Sequence, residues 1–263
     1  MRPRSIAAVA CLLVAVAVGG GLRAGVASAE RKQVGPVIVS LEGEITPHFL
    51  HRTKPEPVAI SVGSDFSTED GSPLPALRRI SVGVGSQGAL HRRGLPRCPL
   101  EQVQARTRER ALAECGPALV GKGSLDGAIQ IPGQTAFRFE GRVLAFNGEV
   151  DGRPAILADV HSKAPPVSFV MPFLIGRETG MVGTTLSAKL PRALGGLVQV
   201  THFDLTLERR FEHRGKARSY LTASCAVPAG FTALVFPLAR VTYDFEGGRS
   251  VTVTAIRSCS VKR

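Results

Sequence analysis

Hydrophobic positions recur along this chain in two different ways. Near the N-terminus they run together. Ile6 to Val18 is unbroken apolar sequence, preceded by Arg2 and Arg4 and followed by small residues ending in Ala27-Ser28-Ala29. A positive, then apolar, then small-residue order is that of a secretory signal peptide, expected over residues 1–29 with cleavage near Ala29. Cys11 lies inside the apolar stretch rather than after it, which argues against lipid attachment. From Val58 onward the apolar residues alternate instead. Ile80, Val82 and Val84 alternate with Ser81 and Gly83. Phe203, Leu205 and Leu207 alternate with Asp204, Thr206 and Glu208, and Val251, Val253 and Ala255 with Thr252 and Thr254. A period of two puts successive side chains on opposite faces, so each segment reads as a half-buried strand.

Turn-forming residues separate these segments. Asn147-Gly148 predicts a turn after Val143–Phe146. Arg214-Gly215-Lys216 predicts one between Val198–Phe211 and Ala217–Cys225, and Glu246-Gly247-Gly248-Arg249 one between Phe245 and Val251. Residues 30–57 are rich in Pro, Glu and His and read as an extended N-terminal lead-in with one strand around Val37-Ile38-Val39. Residues 58–263, undivided by any Ser/Gly linker, read as a single β-rich domain. The expected fold is all-β: an antiparallel β-sandwich, or a barrel-like sheet, of roughly ten or more strands. Two stacked smaller sandwiches are the alternative.

One short helical insertion is expected near 99–115. Pro99 suits a first helical position, and Leu100, Val103, Thr107 and Ala111 share a stripe. On one straight helix Cys98 and Cys115 would stand ~25 Å apart, whereas a disulfide needs Cα atoms within ~7 Å. If Thr107 instead caps a second short helix, the halves fold back and the two cysteines meet. Past the signal peptide the cysteines are Cys98, Cys115, Cys225 and Cys259, an even set suited to two disulfides in an oxidising compartment. Three connectivities exist; the broken helix favours Cys98–Cys115 with Cys225–Cys259. The absence of C-x-x-C spacing argues against zinc.

Composition adds a charge. Lys and Arg number 33 against 21 Asp and Glu, a formal net charge of +12. Loss of the signal peptide removes Arg2, Arg4 and Arg23 and leaves the chain strongly basic. Arg92, Arg93 and Arg97 cluster, as do Arg106, Arg108 and Arg110, and Arg209 through Arg218 with Lys216. Guanidinium groups hold anions in bidentate pairs, so Arg92, Arg93, Arg97, Arg106 and Arg110 are candidate anion-binding residues for an anionic envelope polymer or glycan. Export and the lack of interleaved aromatics count against nucleic acid. The competing explanation is compositional, because Lys, Asn and Tyr are scarce together, as a GC-rich genome produces.

No motif fixes a chemistry. Gly83-Val84-Gly85-Ser86-Gln87-Gly88 spells G-x-G-x-x-G after a strand, but Gly94 and Pro96 fall where a dinucleotide-binding helix should continue, so it reads as a turn. Gly116 to Gly123 approaches a phosphate-binding loop yet lacks Ser or Thr after Lys122. His48 and His51 sit in the lead-in with only Glu42 or Glu44 as a further ligand. His202, Asp204 and Glu208 share the polar face of one strand, a weak metal candidate opposed by Arg210. There is no G-x-S-x-G elbow. With no Trp and only Tyr220 and Tyr243, sugar-stacking platforms are lacking. Neither a catalytic residue nor a cofactor is assigned. No transmembrane helix is expected after the signal peptide.

Gly94-Leu95-Pro96-Arg97-Cys98, Cys115-Gly116-Pro117-Ala118-Leu119-Val120-Gly121, Gly141-Arg142-Val143-Leu144-Ala145-Phe146-Asn147-Gly148 and Ser219-Tyr220-Leu221-Thr222-Ala223-Ser224-Cys225 resemble a group of exported bacterial β-rich proteins of unknown function. The resemblance runs from about Leu74 to the C-terminus. It implies export and a β-rich body holding the four cysteines, and it carries over no functional residue. The expected function is that of a secreted, non-catalytic structural or binding protein, extracellular or associated with the cell envelope. The alternative is an extracellular hydrolase whose site gathers distant acids such as Asp159, Asp204 and Glu208.

Overall fold

Alternation begins earlier than Val58. Val37, Val39, Leu41 and Ile45 are buried on one face of a strand spanning Val37–Thr46, so the expected lead-in is part of the sheet. The computed structural model describes residues 29–104, 107–131, 133–190 and 198–262. The expected signal segment up to residue 28, and Arg106, lie outside the described residues.

The N-terminal region forms β1 (Glu30–Val34), β2 (Val37–Thr46), β3 (Phe49–Leu50), β4 (Glu56–Pro57), β5 (Ala59–Thr68), β6 (Leu77–Gly85), β7 (Gly88–Leu90) and β8 (Cys98–Pro99). The helical insertion follows as α1 (Leu100–Val103) and α2 (Arg108–Cys115). Long strands come next: β9 (Leu119–Ile129), β10 (Phe137–Val150), β11 (Arg153–Lys163), β12 (Pro166–Arg177), β13 (Val182–Lys189) and β14 (Val198–Leu207). The C-terminal part adds β15 (Arg210–His213), β16 (Lys216–Ser219), β17 (Leu221–Ala223), β18 (Ala233–Phe245) and β19 (Ser250–Val261).

Most of these strands join one curled sheet in the order β1-β2-β5-β14-β9-β10-β11-β12-β13-β6-β18-β19-β3. The expectation of a purely antiparallel sandwich is corrected here. The chain builds one sheet that curls round its own core, and the sheet is mixed, because β8 runs parallel to β10 and β3 parallel to β19. Its two edges meet. Arg257 on β19 donates to the Gly43 carbonyl on β2 and, at 2.6 Å, to Glu30 Oε1 on β1. Glycines permit the curl at β9. A side chain at Gly121 or Gly123 would collide with the carbonyls of Thr206 or Asp204 on β14, so only glycine lets the two backbones run so close.

Apolar residues fill the interior, and a second apolar cluster lies on the outer face of β10 and β11, where Leu144, Phe146, Ala155 and Leu157 pack under Cys98 and under Val103, Ala111 and Cys115 of the helical insertion. One end of the interior is filled. Phe66 meets Tyr243 edge-on at 5.0 Å and Phe245 at 6.1 Å, and Ser64 is hydrogen-bonded to the Tyr243 hydroxyl across the bore. Over the other end lies the small sheet β4-β17-β7. Among the described residues no helix is long and apolar enough to cross a membrane.

The insertion is broken as its sequence predicts. Thr107 Oγ1 accepts from the Arg110 amide at 3.3 Å and starts α2. Pro99 caps α1 rather than opening its first turn. The fold-back brings Cys98 and Cys115 to a Cα separation of 5.5 Å, and Cys225 and Cys259 stand at 5.8 Å; both pairs are disulfides. One turn falls elsewhere than expected. Asn147-Gly148 lies inside β10, paired with Ile156 and Ala155, and the reversal comes at Asp151-Gly152, both with positive φ. Asp-Gly is as good a two-residue turn as Asn-Gly, and Asn147 is fully buried, its carboxamide engaged elsewhere. Arg214-Gly215 and Glu246–Gly248 do turn where the sequence places them.

Candidate ligand-binding site

The strands that begin or end at the covered end leave space between them. Ile60 and Val62 of β5, Val84 of β6, Phe173 of β12 and Leu205 and Leu207 of β14 line an apolar chamber of about 70 Å³. Phe173 and Phe203 stack at 6.4 Å along its wall, and Leu90 of β7 and Leu221 of β17 close it from above. Thr184 is its one polar side chain among the described residues. Val62, Val84, Leu90 and Leu205 remain only partly buried although they point inward, which is how an unfilled core looks.

Beyond Leu90 and Thr184 lies a vestibule of about 450 Å³ lined by His91, Arg92, Arg93, Pro154, Ile175, Gly176 and Arg177. Leu90 and Thr184 border both spaces, so the two lie side by side. Arg177 reaches the vestibule by simple periodicity. Phe169, Met171, Phe173 and Ile175 form the inward row of β12, and Arg177 is the next member, opposite Thr184 on β13.

The loop over 91–97 brings the other two arginines. Asn147 anchors it: its Oδ1 accepts from Arg92 Nε at 2.8 Å, and its Nδ2 donates to the Pro96 carbonyl at 2.7 Å. Arg92 Nη2 also donates to the Gly148 carbonyl at 2.7 Å. These acceptors are neutral, so Arg92 keeps an unneutralised charge; burial, with Arg97 nearby, lowers its pKa, while Tyr220 and Glu149 oppose. Arg93 and Arg177 are exposed and have no hydrogen-bond or ion-pair partner among the described residues. His91 bonds Thr222 Oγ1 at 2.8 Å, and burial, then Arg218, push its pKa down, so it is neutral near pH 7. No carboxylate lines the vestibule among the described residues.

The remaining arginines expected to bind anions are differently placed. Arg97 pairs with Glu149 at 2.9 Å and Arg110 with Glu114 at 2.9 Å. The acids of the hydrolase alternative do not converge. Asp159 is fully buried on the outer face of β11, with Oδ2 2.7 Å from His161 Nε2 and Oδ1 unpartnered. Asp204 stands three strand spacings away on β14, about 14 Å. Asp204 instead accepts from the Ser124 amide at 3.1 Å and lies 3.3 Å from His202 Nε2, whose Nδ1 is 2.8 Å from Asp65. Burial alone would lower the His202 pKa, but Asp65 and Asp204 outweigh it and the net shift is upward. Burial foremost raises the Asp126 carboxyl nearby. Among the described residues no group of His, Cys, Asp or Glu is arranged to hold a metal ion. His51 Nδ1 is occupied as acceptor of the Thr53 and Lys54 amides at 3.3 and 3.1 Å. The G-x-G-x-x-G run is the turn from β6 to β7, and Gly121 and Gly123 lie within β9.

Sequence reasoning missed Arg177. The signal was present in the sequence, since the apolar row Phe169, Met171, Phe173 and Ile175 reaches Arg177 at its next position. The chain has no match among protein-family models, curated proteins or solved structures.

Proposed function

We propose that this is a non-catalytic binding protein that works outside the cytoplasm, after cleavage near Ala29, and takes the apolar part of a small ligand into the chamber of its curled sheet. The carrying observation is the chamber itself: an apolar space between inward-facing strands, with a polar vestibule beside it. Pockets of this composition, apolar walls with a few polar groups at one end, are the usual form of small-molecule sites. The two disulfides suit an oxidising compartment. The resemblance to exported β-rich proteins supports the same reading. Recognition of a polymer is the weaker use of this surface, because Arg97 and Arg110 are already paired.

Titration calorimetry with 1-octanol, a neutral single-tailed probe, tests the reading. Saturable one-to-one binding with a negative heat-capacity change is expected. Val62→Phe, which fills the chamber from β5, weakens it at least about tenfold while the circular dichroism spectrum is retained. Absence of saturable binding, or an unaffected Val62→Phe, overturns the assignment.

A further inference from the structure

Resting on that reading, we infer that the ligand is a single-tailed amphiphile with an anionic head group, a carboxylate or phosphate monoester held by Arg93 and Arg177 in the vestibule. Size decides the tail. The chamber of about 70 Å³ is smaller than the ~150 Å³ cavity that accepts benzene in an engineered core. The end of a slender alkyl chain, about two or three carbons, fits, whereas a two-tailed lipid or a fused ring system does not. The vestibule is several times larger, so the rest of the chain and the head lie there.

Charge decides the head. Some arginines of this basic chain pair with carboxylates, Arg78 with Glu246, Arg97 with Glu149, Arg110 with Glu114 and Arg257 with Glu30, and others, such as Arg142, Arg153 and Arg240, have no ion-pair partner among the described residues. At the vestibule three guanidinium groups line one space with no carboxylate on its wall among the described residues. Gathering like charges beside a low-dielectric chamber is unfavourable until an anion enters, and the same field then favours that anion. The donors are also divided by role. Arg92 spends its Nε and Nη2 on Asn147 and Gly148, which fixes the loop, while Arg93 and Arg177 keep every donor for a ligand. A guanidinium presents parallel N–H groups that match the two oxygens of a carboxylate or phosphate. Because Arg177 ends the same inward row as Phe173 and Ile175, a tail lying along β12 carries its head to that guanidinium.

The test compares 1-octanol, octanoate, octyl phosphate and octylammonium by titration calorimetry on the purified protein, at about 50 and about 300 mM NaCl. At the lower salt octanoate or octyl phosphate binds at least about tenfold more tightly than octanol, and octylammonium binds no more tightly. Which anion leads identifies the source of the ligand, carboxylate or phosphate. The advantage shrinks at the higher salt. The double substitution Arg93→Gln, Arg177→Gln abolishes it, while an unchanged circular dichroism spectrum shows that the variant is folded. Equal binding of octanol and both anions, or an anion preference that survives the double substitution, overturns the inference and leaves the chamber assignment standing. Failure of every octyl compound, octanol included, overturns both.

Discussion

Asn147 Oδ1 accepts a 2.8 Å hydrogen bond from Arg92 Nε, and this contact joins the sheet to the loop that shapes the vestibule. It is the only asparagine in the chain and is wholly buried. Its amide nitrogen holds the Pro96 carbonyl at 2.7 Å, so one side chain fastens both ends of the loop to β10. Replacement by Leu leaves the Arg92 guanidinium and the Pro96 carbonyl without these partners. Each stranded group costs about 1–3 kcal/mol. Asn147→Leu is therefore expected to lower unfolding free energy by about 2–4 kcal/mol in urea titration. A loss below about 0.5 kcal/mol would mean that the loop is held by something else.

The disulfides differ in the loops they close. Cys98–Cys115 spans 17 positions and Cys225–Cys259 spans 34. The chain-entropy relation gives about 3 kcal/mol for the first and about 4 kcal/mol for the second. Removing Cys225–Cys259 by paired Ser substitutions is expected to cost more, because that bridge also ties the end of β17, and with it the cover of the chamber, to β19. Removing Cys98–Cys115 is expected to loosen α1 and α2 chiefly, seen as faster amide exchange there. Non-reducing peptide mapping should find no free thiol among the four; a stoichiometric free Cys225 would contradict the pairing.

His202 provides a pH dependence whose sign is fixed by its neighbours. Asp65 and Asp204 flank its two ring nitrogens and raise its pKa above 6.5 despite partial burial. The charged imidazole is thus favoured by folding. Its stabilising contribution is complete below the unfolded pKa near 6.5 and is lost as pH rises through the folded value. NMR titration of the His202 ring should give a midpoint above 6.5, moved downward by Asp65→Asn and by Asp204→Asn. A midpoint at or below 6.5 would show that burial wins over the two carboxylates.

Much of this fold is legible in local pattern and little of the site is. The strands around Val82, Leu205 and Val253 follow from alternation, and the break at Thr107 follows from its capping chemistry. Closure into one curled sheet does not, because alternation assigns an inner face without saying which strand lies across from it. The contacts of Ser64 with Tyr243 and of Gly43 with Arg257 link residues far apart in the chain. The Asn147-Gly148 dipeptide misleads because burial, a property of the assembled sheet, outbids a local turn preference. Arg93 is visible as a charge, but its partnership with Arg177 exists only after β12 and the loop over 91–97 are brought to one end of the sheet.

The two tyrosines offer a matched pair of opposite predictions. Both are fully enclosed, and burial pushes both phenols well above their ordinary pKa, so both are neutral hydroxyls across the accessible pH range. Tyr243 shares a hydrogen bond with Ser64, itself buried, across the filled end of the bore. Tyr243→Phe removes that bond and strands the Ser64 hydroxyl, an expected loss of about 1–2 kcal/mol. The Tyr220 hydroxyl has no hydrogen-bond partner among the described residues. Its removal in Tyr220→Phe ends an uncompensated desolvation, so the variant should be unchanged or more stable by up to about 1 kcal/mol. Urea denaturation of the two variants beside the parent protein measures both. A Tyr220→Phe variant destabilised as much as Tyr243→Phe would place a partner, such as an internal water, on the Tyr220 hydroxyl near Arg92.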